Sequence, residues 1–242
     1  MEPDISNLPN YRTFLLCLDT QKPVRADGKE TRARMKEAAQ RLFAVHGIDG
    51  VTVADIVAAA GQRNKASLQY HFGSKEELVG ELLVDGAKKV DAFRLALLEQ
   101  MDAGGGPRSV REVLDAFIRP VYQLTATEAE GSTYLRFLSN VQLTHRALFR
   151  AYIGTKWNVG YRRCLEHFRQ MLAHIPAPLL EQRVSLVAIY TTTVFSMREA
   201  PADEAHSPSR LWIPKFTLDN ILDTFEAMLT CPPSAATLER LP

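Results

Sequence analysis

Cysteine is scarce in this chain of 242 residues: Cys17, Cys164 and Cys231 stand far apart, with no CxxC pair, and His167, three residues after Cys164, has no further ligand in view. Neither a disulfide scaffold nor a metal centre is indicated, no cofactor is expected, and three isolated thiols suit a reducing cytoplasm. Net charge is nearly absent as well, 29 Lys and Arg against 28 Asp and Glu leaving +1. A coat that is basic all over is excluded, so any affinity for nucleic acid has to come from a local patch. Long apolar runs are missing too. The longest early one, Phe14 to Leu18, is far short of the roughly 20 residues a spanning helix needs, and Glu2 and Asp4 precede it where a signal peptide is basic. The expectation is a cytoplasmic chain with no membrane anchor.

Catalytic constellations are lacking in the same way. There is no convincing carboxylate pair, Glu-x-x-His spacing or nucleophile elbow; His167 and His174 are seven apart with no third ligand in view, and Gly104 to Gly106 has neither the strand nor the Lys of a phosphate loop. An enzyme built on a helical bundle is therefore the weakest of the functional classes, and the expectation is no catalytic residue.

What is present is helical periodicity. No strand-length alternation competes with it, so the fold class expected is all-α, and 46% hydrophobic content provides for a real core. Residues 1–27, with Pro3, Pro9 and Pro23, show no sustained period and are expected to be a flexible extension. From Lys29 the apolar positions Met35, Ala38, Ala39, Leu42 and Phe43 recur at three and four, and Gly47 stops the helix. Its other face carries Arg32, Lys36 and Arg41, for which a solvated face is the plain reading. Thr52 and Asp55 then form a capping box, Val53, Ile56 and Val57 a buried stripe, and Ala58 to Gly61 a close-packed turn. Together they spell a helix-turn signal.

Asn64 is an N-cap for a third short helix in which Leu68 and Phe72 face inward. Arg63, Lys65, Ser67, Gln69, Tyr70 and His71 are left outside with no acid among them, which suits phosphates and base edges. Tyr70 or His71 alone would be ordinary packing residues; the cluster is harder to explain that way. Ser74 and Glu77 form a second capping box and place Lys75 in a first turn, where its charge opposes the helix dipole and is either a surface charge or a phosphate contact.

The stretch Thr31 to Leu83 resembles the DNA-binding domain of the tetracycline-repressor (TetR) family. The resemblance is carried by Ala39, Leu42, Phe43 and Gly47, then Thr52, Ile56, Ala60 and Gly61, then Tyr70-His71-Phe72 and Ser74-Lys75-Glu76 with Leu78. Two departures fall at the recognition helix: the Gly61 to Leu68 segment is one residue longer than usual, and Gln69 stands where Tyr is frequent. The resemblance implies an N-terminal three-helix DNA-binding domain over 28–75 and a helical effector-binding and dimerisation domain over 76–230, followed by a tail, 231–242. It also implies double-stranded operator DNA as partner, with Thr52, Tyr70, His71 and Lys75 on phosphates. Arg63, Asn64, Lys65, Ser67 and Gln69 are then the set for base readout.

Beyond Ser74, helices are expected over 74–101, 109–127, 132–140, 146–157, 160–174, 178–198 and 217–229. The middle ones are rich in aromatics, most of them core; Tyr134, Phe137, Tyr152, Trp157 and His167 are the candidates to line an apolar ligand pocket for a small-molecule effector. Helices 178–198 and 217–229 hold more apolar surface than one stripe needs, which serves either an intrachain core or, as the resemblance implies, a homodimer. The function this implies is a repressor released from a palindromic operator by its effector. A DNA-binding protein without a ligand is the alternative.

Overall fold

The computed structural model describes residues 26–127, 132–153, 158–199, 212 and 215–241, and every element among them is α-helical. In chain order these are α1 (Ala26–His46), α2 (Val53–Ala59), α3 (Ala66–Phe72), α4 (Lys75–Ala103), α5 (Val110–Thr127), α6 (Tyr134–Thr144), α7 (Arg146–Ile153), α8 (Val159–Met171), α9 (Ala177–Ser196), α10 (Thr217–Thr230) and α11 (Ala235–Leu238). The expected extension lies almost wholly outside the described residues, and so does Trp157.

Helices α1 to α3 close on a small core to which each gives one stripe: Met35, Ala39 and Phe43, then Ile56 and Val57, then Leu68 and Phe72. Gly61 makes the α2–α3 turn at φ +69°, a conformation that side chains other than glycine resist. Helix α4 starts in this core with Leu78, Val79, Leu82 and Leu83 and ends in a second one with Leu98, packing on α5, α7 and α8. Two glycines let it do so. A Cβ at Gly80 would stand 2.2 Å from the ring of Tyr152, and one at Gly86 2.0 Å from the ring of Tyr134. Both rings lie directly on the α4 backbone.

The basic face of α1 is not simply solvated. Lys36 Nζ lies 2.7 Å from Asp85 and 2.9 Å from Glu81, and Arg32 donates to both oxygens of Glu81. These pairs are half-exposed and each contributes up to about 1 kcal/mol, but together they fix the angle between α1 and α4. Arg41 does remain outside, 3.3 Å from Glu37 on its own helix.

Three further expectations change. The helix expected from Ser132 begins at Tyr134, because Ser132 and Thr133 spend their hydroxyls on other elements. The tail is not wholly irregular: Ser234 Oγ accepts from the Thr237 amide at 3.2 Å and starts α11. Much of the apolar surplus of α10 is used within the chain, with Leu222, Phe225 and Leu229 buried and the exposed side polar (Asp219, Asn220, Asp223, Thr224). Arg111 of α5 pins that polar side by pairing with Asp223 and Glu226.

Candidate nucleic-acid interface

The unit begins at Thr52. Its Oγ accepts from the Asp55 amide at 3.3 Å while the Thr52 amide donates to Asp55 Oδ2 at 2.8 Å, so the expected box is complete. The bonds from the Thr52 side chain and backbone hold the Asp55 carboxyl below its usual value. This fixes the start of α2; the tight turn at Gly61 joins its other end to α3.

Helix α3 is anchored from below by Leu68 and Phe72, 2% and 7% exposed. The N-cap position is Lys65 rather than Asn64 and makes no side-chain cap bond, while Asn64 Oδ1 accepts from the Ala66 amide at 2.9 Å in a turn just before the helix. The amide nitrogen of Asn64 and the second lone pair of its oxygen remain to meet a base. Arg63, Lys65, Gln69 and Tyr70 are exposed, Tyr70 at 83%, and no acidic side chain occurs from Gly61 to Lys75. Of the nine expected DNA contacts, these four are exposed together with Asn64 and Thr52, while Ser67, His71 and Lys75 are half-buried.

His71 and Lys75 are placed differently. His71 is half-buried with its ring 5.0 Å from that of Tyr70, and its carbonyl accepts from Arg32 Nε at 3.5 Å. Burial, and then the Arg32 charge, push its pKa below the usual histidine value, so it is a neutral side chain near pH 7 rather than a cation for phosphate. Lys75 Nζ donates to the carbonyls of Ile48 and Val51, both at 3.0 Å. It ties the start of α4 to the α1–α2 turn, with one N–H left to donate elsewhere. Ser74 gives only half of its expected box, accepting from the Glu77 amide at 3.0 Å, because the Glu77 carboxylate accepts from the Tyr152 hydroxyl at 2.9 Å.

Among the described residues, the candidate pocket side chains each pack on a different neighbour. Tyr134 is 5% exposed and its hydroxyl donates to the Leu83 carbonyl at 3.1 Å; Phe137 is fully buried and stacks on Phe43 of α1, centroids 6.0 Å apart. Tyr152 lies on Gly80 and His167 is half-buried on α8. Three of these aromatics join α4, α6 and α7 to one another and to the N-terminal domain. A cleft of about 820 Å³ lies elsewhere among the described residues, an open groove between the end of α4 and the starts of α5 and α10, lined by Leu97, Met101, Arg111, Asp115 and Leu222 among others.

Sequence patterning missed the residues that dock the two parts. Asn140 Nδ2 donates to the Phe43 and Ala44 carbonyls at 3.0 and 3.2 Å, and His145 Nε2 lies 3.2 Å from Asp49. Glu199 is buried against the start of α6. These pairings span 64 to 97 residues of chain, so no local period announces them.

Residues 37–82, the stretch that holds this unit, match the family described as bacterial regulatory proteins, tetR family. The domain belongs to the tetR family. The regulator TtgR of Pseudomonas putida is 42% identical over 57 residues, 24% of this chain and 27% of that protein, so the chain spans about a quarter of that relative. The regulator AcrR of Shigella flexneri is 25% identical over 176 residues, 69% of this chain and 76% of its own. Among solved structures, the TetR family transcriptional regulator PfmR of Thermus thermophilus superposes with a TM-score of 0.53 at 18% identity, over 84% of this chain and 98% of that one, which shows the shared tetR fold. Among the described residues no helix is long and apolar enough to cross a membrane.

Proposed function

We propose that the whole chain is a repressor that binds a palindromic operator as a homodimer, with α3 in the major groove, and leaves it when a small-molecule effector binds the C-terminal domain. The observation that supports this reading most is the acid-free open face of α3, where Arg63 and Lys65 suit guanine, Gln69 suits adenine, and Tyr70 is exposed beside them. Thr52, Asn64, Ser67, His71 and Lys75 flank that face and position it. The homodimer is supported by α9, which leaves Leu186, Ile189, Tyr190 and Met197 exposed on one side, with Phe216 exposed just before α10. A two-fold dimer presents two α3 helices about 34 Å apart.

The test is a gel-shift titration of the purified chain with DNA from upstream of its own gene. A complex whose affinity falls steeply with salt is expected. No shift at low salt defeats the reading. Lys65→Ala and Gln69→Ala are expected to change which sequences are preferred; losses that are equal on all sequences defeat their assignment to bases.

The effector is supported by the family resemblance, and the packing of Tyr134 and Phe137 into the core favours a second reading in which the repressor takes no ligand. Coupling separates the two. An effector has to bind better to the state that fits the operator worse, so each weakens the other by the same factor. A compound that saturates the chain and leaves operator affinity unaltered defeats the first reading.

A further inference from the structure

Helix α6 lies between α1 and α9 and packs on both. Its N-terminus is built in an unusual way. Thr133 stands at the N-cap position and its side chain makes no capping bond; its Oγ instead accepts from Gln40 Nε2 of α1 at 3.2 Å. The amides that Thr133 would have served are taken by Glu199, three residues beyond the end of α9. Glu199 Oε1 accepts from the Leu135 amide at 3.0 Å and from Ser132 Oγ at 2.7 Å, and Oε2 accepts from the Arg136 amide at 2.8 Å. Glu199 and Ser132 are both 5% exposed. The Arg136 guanidinium returns a bond to the Glu199 carbonyl at 3.4 Å. A carboxylate on the first free amides of a helix is a strong, directional joint, favoured by both the hydrogen bonds and the helix dipole.

The other side of α6 is joined to the DNA-reading domain just as specifically. Asn140 Nδ2 takes the carbonyls of Phe43 and Ala44, in the last turn of α1, and the Phe43 carbonyl is also the acceptor of the Gly47 amide that ends the helix. Phe137 stacks on Phe43 between the two joints. A rigid helix with one end held by α9 and one side held by α1 transmits displacement, since neither joint stretches by more than a few tenths of an ångström without breaking.

We propose that α6 is the strut that sets the orientation of the DNA-reading domain against the α9 face, and that Glu199 and Asn140 are its two positioning residues. The inference rests on the regulator reading for its biological meaning. Any event that moves the end of α9, whether assembly with a second copy or binding in the C-terminal domain, then reaches α1 through Glu199, α6 and Asn140.

The test uses the full chain, as wild type, Glu199→Gln, Asn140→Ala and the double variant, read by amide hydrogen exchange and by operator affinity. In Glu199→Gln the side-chain NH₂ meets N–H donors. Exchange at Leu135 and Arg136 is expected to quicken about tenfold, and at Gly47 with it, while operator affinity falls by a similar factor. Asn140→Ala is expected to quicken Gly47 and weaken the operator complex while Leu135 and Arg136 keep their protection. The double variant is expected to bind DNA no worse than the weaker single variant, because both cut the same path.

Loosening confined to Leu135 and Arg136, or DNA losses that simply add, overturns the strut. If Glu199→Gln does not fold, Asn140→Ala and Gln40→Ala carry the test, and unchanged exchange at Gly47 in both overturns it. A wild type that binds no DNA defeats the regulator reading, whereas the exchange data still decide on the strut.

Discussion

At the scale of single residues, charge does different work from what its position in the sequence suggests. Lys75 opens α4, where a cation is unfavourable to the dipole, and the structure supplies the compensation: two carbonyls of the α1–α2 turn. Lys75→Met is therefore expected to lower the unfolding free energy by about 2 kcal/mol, the loss of two bonds to a charged donor. Lys65→Met is expected to leave it unaltered. Urea denaturation of both variants checks this, and equal stability of Lys75→Met and wild type would show that the anchor contributes nothing. His71 offers a pH handle. Its folded-state pKa is below the unfolded value of 6.5 because burial and Arg32 disfavour the cation, so the unfolded chain binds more protons below neutrality. The stability it contributes is complete above pH 6.5 and is lost as pH falls through the folded pKa. Thermal midpoints of wild type measured from pH 7.5 downward are expected to fall more steeply than those of His71→Gln; parallel curves would remove His71 as the source.

At the scale of elements, what was legible in the sequence was whatever is local. The Thr52–Asp55 box, the Gly61 turn and the Leu68–Phe72 spacing involve residues within a few positions of each other, and they define α2 and α3 almost to the residue. The start of α6 was misplaced because its cap comes from Glu199, 64 residues away from Leu135. The packing partners of the candidate pocket aromatics were hidden for a related reason: an aromatic at helical spacing shows that a face is apolar, but the partner of that face is set by the small residues of another helix. Gly80 and Gly86 decide it here. Gly86→Ala puts a methyl 2.0 Å from the Tyr134 ring, whose hydroxyl is bound to the Leu83 carbonyl, so the ring has to leave its seat. A loss of about 2 kcal/mol is expected, as for an overpacked core, and Tyr134→Leu in the same chain should recover part of it. Urea midpoints that are additive for the two substitutions would show that the ring and the glycine are not matched.

At the scale of the molecule, two apolar helices near the C-terminus behave differently, and the difference locates the symmetry axis of the proposed dimer. Helix α10 spends its apolar residues on its own chain and shows acids and amides outward. Helix α9 buries Val184, Val187, Thr191 and Phe195 on one side and leaves Leu186, Ile189, Tyr190 and Met197 on the other, at spacings of three, four, eight and eleven that keep them on one stripe. Ile189, 53% exposed, lies on that stripe. A carboxylate there would meet its own image across a two-fold axis, unpaired and desolvated, at a cost several-fold larger than any single apolar contact. Ile189→Asp is thus expected to sediment as a monomer at micromolar concentration with unchanged helix content. It is expected to lose operator affinity by about 100-fold, because each half-site is then bound without the effective concentration supplied by its partner. Ala147→Asp, equally open to solvent on α7, is expected to keep both mass and affinity. A dimer that survives Ile189→Asp would move the axis off α9, and with it the path by which Glu199 connects that face to the DNA.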